Sequence, residues 1–289
     1  MEVSIHPALA GHLGEAVRLL RRRLRKRLER VRRDPDPERV HQLRVETRRA
    51  LALVDLVRAA GLTRKTRKLR KALKRQLDAF DEVRDLHICR QRLREVANAP
   101  GEVEPLATLW AKREEKMARS VARRLSGLSL KEGEKRLKKL EKVLGRAARA
   151  EGEEPVRGAV VGVLEPLFAE VQRRSRLVRT PAGVHRLRVA FKKYRYACEM
   201  LRPFLPGLSD AVLAAMREFH GLMGDLQDHA VLRGAVRRDA AKAGLPGTVH
   251  RALLRKLQER QVEILQRCQA AVRQLASWRP SGLARPRSR

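Results

Sequence analysis

The chain has 289 residues, enough for one large domain or two ordinary ones with a sizeable buried core. Lys and Arg number 67 against 33 Asp and Glu, a formal net charge of +34. So much positive charge repels itself in a compact state and favours a polyanionic partner: nucleic acid, inorganic polyphosphate or an anionic membrane face. Aromatic residues make up only 3% of the chain and never interleave with the basic runs, which argues against a base-stacking single-strand binder and leaves a duplex binder open.

Taken in chain order, nearly everything reads as helix. Leu13, Val17, Leu20, Leu24, Leu28 and Val31 form one apolar seam at spacings of three and four along residues 13–31. Asp34-Pro35-Asp36-Pro37 interrupts it, and Pro37 starts a second helix that Gly61 stops. A third covers about 63–97, with a bend allowed, and Asn98-Ala99-Pro100-Gly101 is a turn. Helices at about 103–126 and 130–150 complete the first half.

Glu151-Gly152-Glu153-Glu154-Pro155 is the best boundary. Helices at 156–178, 184–202, 209–243 and about 248–278 follow, in an order that matches the first half. The expected organisation is therefore all-α: a helical-bundle half at 1–150, a second at 155–279, and a basic disordered tail at 280–289.

Cys89, Cys198 and Cys268 are odd in number and far apart. Neither a disulfide framework nor a zinc site is expected, and a reducing cytoplasm is the natural setting. No apolar run approaches the roughly 20 residues that span a bilayer, and no leader peptide is apparent at the N-terminus. No membrane partner is expected, and oligomeric state is not legible.

The most informative pattern is a repeated basic stripe. Val40-His41-Gln42-Leu43-Arg44-Val45, followed by Arg48-Arg49, matches Val184-His185-Arg186-Leu187-Arg188-Val189, followed by Lys192-Lys193. A helix turns about 100° per residue. His41, Arg44 and Arg48 therefore share a stripe beside the apolar seam, as do His185, Arg188 and Lys192. An acid fourteen residues after each His, Asp55 or Glu199, extends the stripe and is placed to fix an arginine or cap the far end. Cations about 5–6 Å apart on one helix face suit successive phosphates of an extended chain. One such stripe in so basic a chain reads as a solvated surface. Two in register suggest a duplicated anion site, although shared ancestry of the halves alone preserves a stripe too.

The helix after each stripe also repeats. Lys74, Asp78, Asp81 and Asp85 share one face, and Arg217, Gly221, Gly224 and Asp228 share the equivalent face. Glycines at that spacing leave room for a close helix or a long side chain. Asp85 and Asp228 are candidates each to pair with a stripe arginine and orient it, the alternative being an ordinary polar helix face.

These segments resemble the CHAD family, the conserved-histidine α-helical domain, in both His-x-x-Arg-Val stretches with trailing cations and in Leu77–Leu86 and Leu222–Asp228. The resemblance spans about residues 5–278. It implies two pseudo-symmetric four-helix bundles around a basic groove, binding of inorganic polyphosphate, and localisation to polyphosphate granules. It places His41, Arg44, Arg48, His185, Arg188 and Lys192 in the groove, with Arg49, Lys193, Lys74 and Arg217 as weaker carry-overs. Asp81 departs from the family's glycine, whereas Gly224 keeps it. Gln227 stands where the first half has Arg84.

Catalysis is not expected. No His pair has zinc-site spacing, and no phosphate loop or serine-nucleophile motif occurs. Asp225, Asp228 and His229 are the nearest approach to a metal set and fit a helix-surface role better. No cofactor is expected. A site this cationic suits holding phosphate without transferring it. A nucleic-acid or nucleoid-associated protein is the alternative reading, and a granule-surface scaffold is a third.

Overall fold

The computed structural model describes residues 5–34, 36–61, 63–97, 100–127, 130–150 and 156–284. These form helices α1 (Pro7–Arg33), α2 (Pro37–Ala59), α3 (Thr63–Asp78), α4 (Asp81–Val96), α5 (Pro100–Gly127), α6 (Leu130–Ala147), α7 (Val156–Ser175), α8 (Pro181–Met200), α9 (Asp210–Asp239), α10 (Gly247–Ala271) and α11 (Pro280–Leu283), with short 3₁₀ turns at Arg202–Phe204 and Val272–Trp278. The all-α expectation holds for the described residues.

The seam of α1 is buried as its spacing requires: Leu13, Val17 and Val31 are fully enclosed, and Leu20 and Leu28 nearly so. α1 packs on α2 and α6, α2 on α3, and α3 on α6, which closes a bundle of four helices. α8 lies between α7 and α9. α9 in turn packs on α10 and on α4, and α4 on α5. Gly61 follows α2 with φ 107°, a left-handed conformation that ends the helix where the sequence expects it.

The apolar cores do not respect the expected halves. One joins Leu53 and Val57 of α2 to Leu187 and Phe191 of α8 and Phe219 of α9. Another joins Leu86 and Leu93 of α4 and Trp110 of α5 to Leu232 and Val236 of α9 and Leu257 of α10. Burial shared in this way welds the N-terminal and C-terminal helices together. The expected boundary at 151–155 lies outside the described residues.

Three sequence expectations need correction. The helix over 63–97 is two helices: Phe80 N–H bonds Leu77 O at 2.9 Å, a 3₁₀-type link, and the fully buried Phe80 ring anchors the break. The last long helix tightens to a 3₁₀ turn at Val272. Residues 280–284 do not begin a disordered tail. Pro280–Leu283 is a helical turn whose Leu283 is buried in the core, and Gly207 N–H bonds Leu283 O at 2.9 Å. Residues 285–289 lie outside the described residues.

Candidate anion-binding site

Identical starting devices put the two stripes in register. Asp36 caps α2 by accepting from Arg39 N–H at 2.8 Å, with Pro37 at the first turn. Thr180 caps α8 by accepting from Gly183 N–H at 3.1 Å, with Pro181 at the first turn. Such caps fix where a helix begins. His41 and His185 are therefore each the fifth helical residue, counted from Pro37 and Pro181. α2 and α8 pack on one another, which brings the stripes together.

The titration behaviour of the cations reports their proximity. Lys192 is pushed down to about 8, first by burial and then by Arg48, Arg188 and Arg44. Arg44 is lowered to about 10 by burial and by Arg48 and Arg84, which Asp81 only partly offsets. Burial lowers Arg188 too, with Arg84 and Arg48 adding to it and Asp228 opposing. Among the described residues Arg48, Arg188 and Lys192 have no carboxylate within ion-pair distance. Semi-buried like charges disfavour their own ionised forms. An anion placed among them would relieve that cost.

One difference between the halves bears directly on the stripe arginines. Arg44 Nη2 donates to Asp81 at 3.4 Å. Arg188 instead lies against Gly224, where a Cβ would stand 3.6 Å from both Nε and Nη2. The glycine thus makes room for a long side chain without supplying a counter-charge. The Nε atoms of both Arg44 and Arg188 are buried without a partner.

Arg84, on α4, lies within electrostatic reach of both Arg44 and Arg188. Its Nη1 donates to Asp85 at 2.9 Å, and its Nη2 donates to Asp228 on α9. Burial pulls Arg84 down, but the charges of Asp228 and Asp85 outweigh it and its pKa rises. Asp85 and Asp228 therefore bond Arg84 and not a stripe arginine as the sequence suggested, and only the charge of Asp228 reaches Arg188.

The other candidates are spread more widely. His41 is lowered, first by burial and further by His87, Arg44 and Arg48, with Glu38 opposing. His185 lines an open cleft between α8 and α9 with Gln227 and Ala230. Arg49 pairs with Glu46 at 2.8 Å, Lys193 is exposed, and Lys74 is exposed on α3, separated from Asp81 and Asp85 by the break at Phe80. Glu199 accepts from Arg195 at 2.5 Å and from Arg217 at 3.0 Å. Asp55 accepts from Arg70 of α3 at 2.5 Å and not from a stripe arginine, since even Arg48 stands seven residues away, about 10 Å of helix.

Sequence reasoning left Arg84, Arg195 and His220 out of the site. Arg195 is buried over the Tyr196 ring at 4.4 Å. His220 is lowered to about 3, first by burial and then by Arg188, Arg195 and Lys192. The repeat of the α4 and α9 faces, where Arg84 and Gln227 differ, was the available signal for Arg84. His220 carries no sequence signal, because the cations that act on it come from α8, a separate helix.

Among the described residues no set of three His, Cys, Asp or Glu is arranged to hold a metal ion. Asp225 pairs with Arg92, and Asp228 with Arg84. No helix among them is long and apolar enough to cross a membrane.

The model of the CHAD domain matches residues 15–237. The fold is similar to the crystal structure of the CHAD domain from the plant Ricinus communis, with a TM-score of 0.71 at 18% identity, covering 94% of this chain and 93% of that one. No curated protein sequence matches the chain.

Proposed function

Because this chain belongs to the CHAD domain family, we propose that it binds inorganic polyphosphate, without transforming it, along the cations shared by α2 and α8. The observation that carries this reading is the clustering of Arg44, Arg48, Arg188 and Lys192 on the packed helices α2 and α8, where burial first and then the neighbouring arginines hold Lys192 down at about 8. A chain of phosphates supplies repeated negative charge along such rows, and guanidinium groups fork onto phosphate oxygens. The shortage of aromatic platforms favours an anion without bases.

The matching caps and stripes also support an internal duplication, with two pseudo-symmetric bundles meeting at the site. Localisation in the cytoplasm, at polyphosphate granules, follows from the same family reading. A granule scaffold is distinguished by neutralising His41, Arg44, Arg48, His185, Arg188 and Lys192 together: a polyphosphate-dependent protein then leaves the granule, and a scaffold stays.

Labelled long-chain polyphosphate, preloaded and then challenged with duplex DNA at fixed salt, tests the function. Resistance to DNA at equal phosphate concentration is expected. Displacement at comparable concentration would favour the nucleic-acid reading, for which the net charge of +34 is the supporting observation. Affinity should also fall steeply with salt, since docking releases condensed counterions, a rule carried over from nucleic acids.

A further inference from the structure

His87 stands outside both stripes, on α4, facing the start of α2. Its ring centroid lies 6.3 Å from that of His41. Its Nδ1 is 3.0 Å from Glu114 on α5, and the second oxygen of Glu114 accepts from Arg90 Nη1 at 2.5 Å. Glu114 is only 1% exposed, whereas the side chain of His87 is 49% exposed. A buried carboxylate thus anchors one ring nitrogen of a half-exposed side chain that neighbours His41, the first residue of the α2 stripe.

The anchoring fixes the chemistry of the free nitrogen. A carboxylate only accepts, so the Nδ1–H of His87 donates to Glu114. In the neutral ring Nε2 then offers a lone pair, and in the protonated ring it offers a second N–H. An interior phosphate of a linear chain presents only acceptor oxygens. A terminal phosphate resembles a phosphate monoester, whose second pKa is about 6, and carries either a hydroxyl or a second negative charge near neutral pH. Neutral imidazole accepts from the hydroxyl form, and imidazolium donates to the dianion. One proton lies between ring and phosphate in either case, a match the guanidinium groups of Arg44 and Arg48 cannot offer, since they only donate.

We infer that His87, held by Glu114 and flanked by His41, forms a subsite for the terminal phosphate of a linear polyphosphate, so that one end of the ligand is recognised differently from its interior. The inference rests on the polyphosphate reading above. The second half has no copy of this subsite. The residue corresponding to His87 is Ala230, which lines the cleft beside His185, so only one of the ligand's two equivalent ends is held in this way.

The test uses the full chain and two ligands: a short linear polyphosphate, and the same length with both terminal phosphates blocked as alkyl phosphoramidates. Blocking removes terminal charge as well as the hydroxyl, so the quantity compared is the ratio of the two affinities in each variant. Wild type is expected to prefer the free-ended chain by about tenfold, the range of one charge-assisted hydrogen bond. His87→Ala, at a half-exposed position, should remove most of that preference. Arg48→Ala should weaken both ligands and leave the ratio unchanged. Equal ratios in wild type and His87→Ala overturn the end subsite while leaving the groove intact. Failure of wild type to bind either ligand overturns the polyphosphate reading itself, and the subsite with it.

Discussion

Arg84 of α4 and Asp228 of α9 are hydrogen-bonded to each other across the two halves of the chain, and the same carboxylate lies within electrostatic reach of Arg188 on α8. Asp228 is 8% exposed. It is therefore at once a buried tie between α4 and α9 and a resident anion in a cationic site. These roles pull in opposite directions when a ligand anion arrives.

Asp228→Asn should separate them. Loss of one partner of a buried pair leaves Arg84 with Asp85 alone, and stability should fall by roughly 3 kcal/mol. Polyphosphate affinity should rise, because a competing negative charge is gone. Thermal denaturation with and without ligand checks both: the variant should melt lower alone and gain more from added polyphosphate than wild type does.

Arg44→Ala combined with Arg188→Ala should reduce polyphosphate affinity by about 2–4 kcal/mol, the loss of two charge-assisted contacts. Removing two surface arginines that already pair with acids on their own helices, Arg173 and Arg255, should cost far less at the same salt. Equal losses in titration calorimetry would mean a diffuse electrostatic surface in place of a defined site.

Gly224→Asp should give the second half the counter-charge that Asp81 provides in the first. A Cβ fits there at ordinary contact distance from Arg188, so the helix tolerates the change while Arg188 is neutralised. Affinity is expected to drop by up to about tenfold. Asp81→Gly should shift it the other way, and the double variant should return near the wild-type value.

Lys192 sets a pH window. Its pKa near 8 lies below the ordinary 10.5, and a bound anion favours the ammonium form. Below pH 8 the amine is already charged. Above it, binding must take up a proton, so affinity falls as pH rises. The stability of the free protein moves the other way: between about 8 and 10.5 the unfolded chain holds the extra proton, and stability increases with pH. Lys192→Arg should flatten both trends, read by calorimetry in buffers of different ionisation enthalpy and by melting temperature against pH. His41, lowered from 6.5, should strengthen binding only at pH values below the ordinary histidine range.

Much of the fold was legible locally. The α1 seam, the Asp36-Pro37 start, the Gly61 stop and the shared offsets of His41 and His185 all depend on near neighbours in sequence. The break at Phe80 was less so, since a buried ring decides whether a continuous helical pattern bends or splits. The packed turn at Pro280–Leu283 read as tail because its burial comes from α7 and from Gly207.

For the site, sequence supplied the rows but not their meeting. Helical period alone put His41, Arg44 and Arg48 on one stripe and His185, Arg188 and Lys192 on another, because a helix's geometry is fixed within a few residues. That Arg48 depresses Lys192, that Arg84 of one half bonds Asp228 of the other, and that Glu114 holds His87 beside His41 were settled only by packing α2 on α8, α4 on α9 and α4 on α5. Those contacts join residues far apart along the chain, and it is burial of shared apolar faces that selects them.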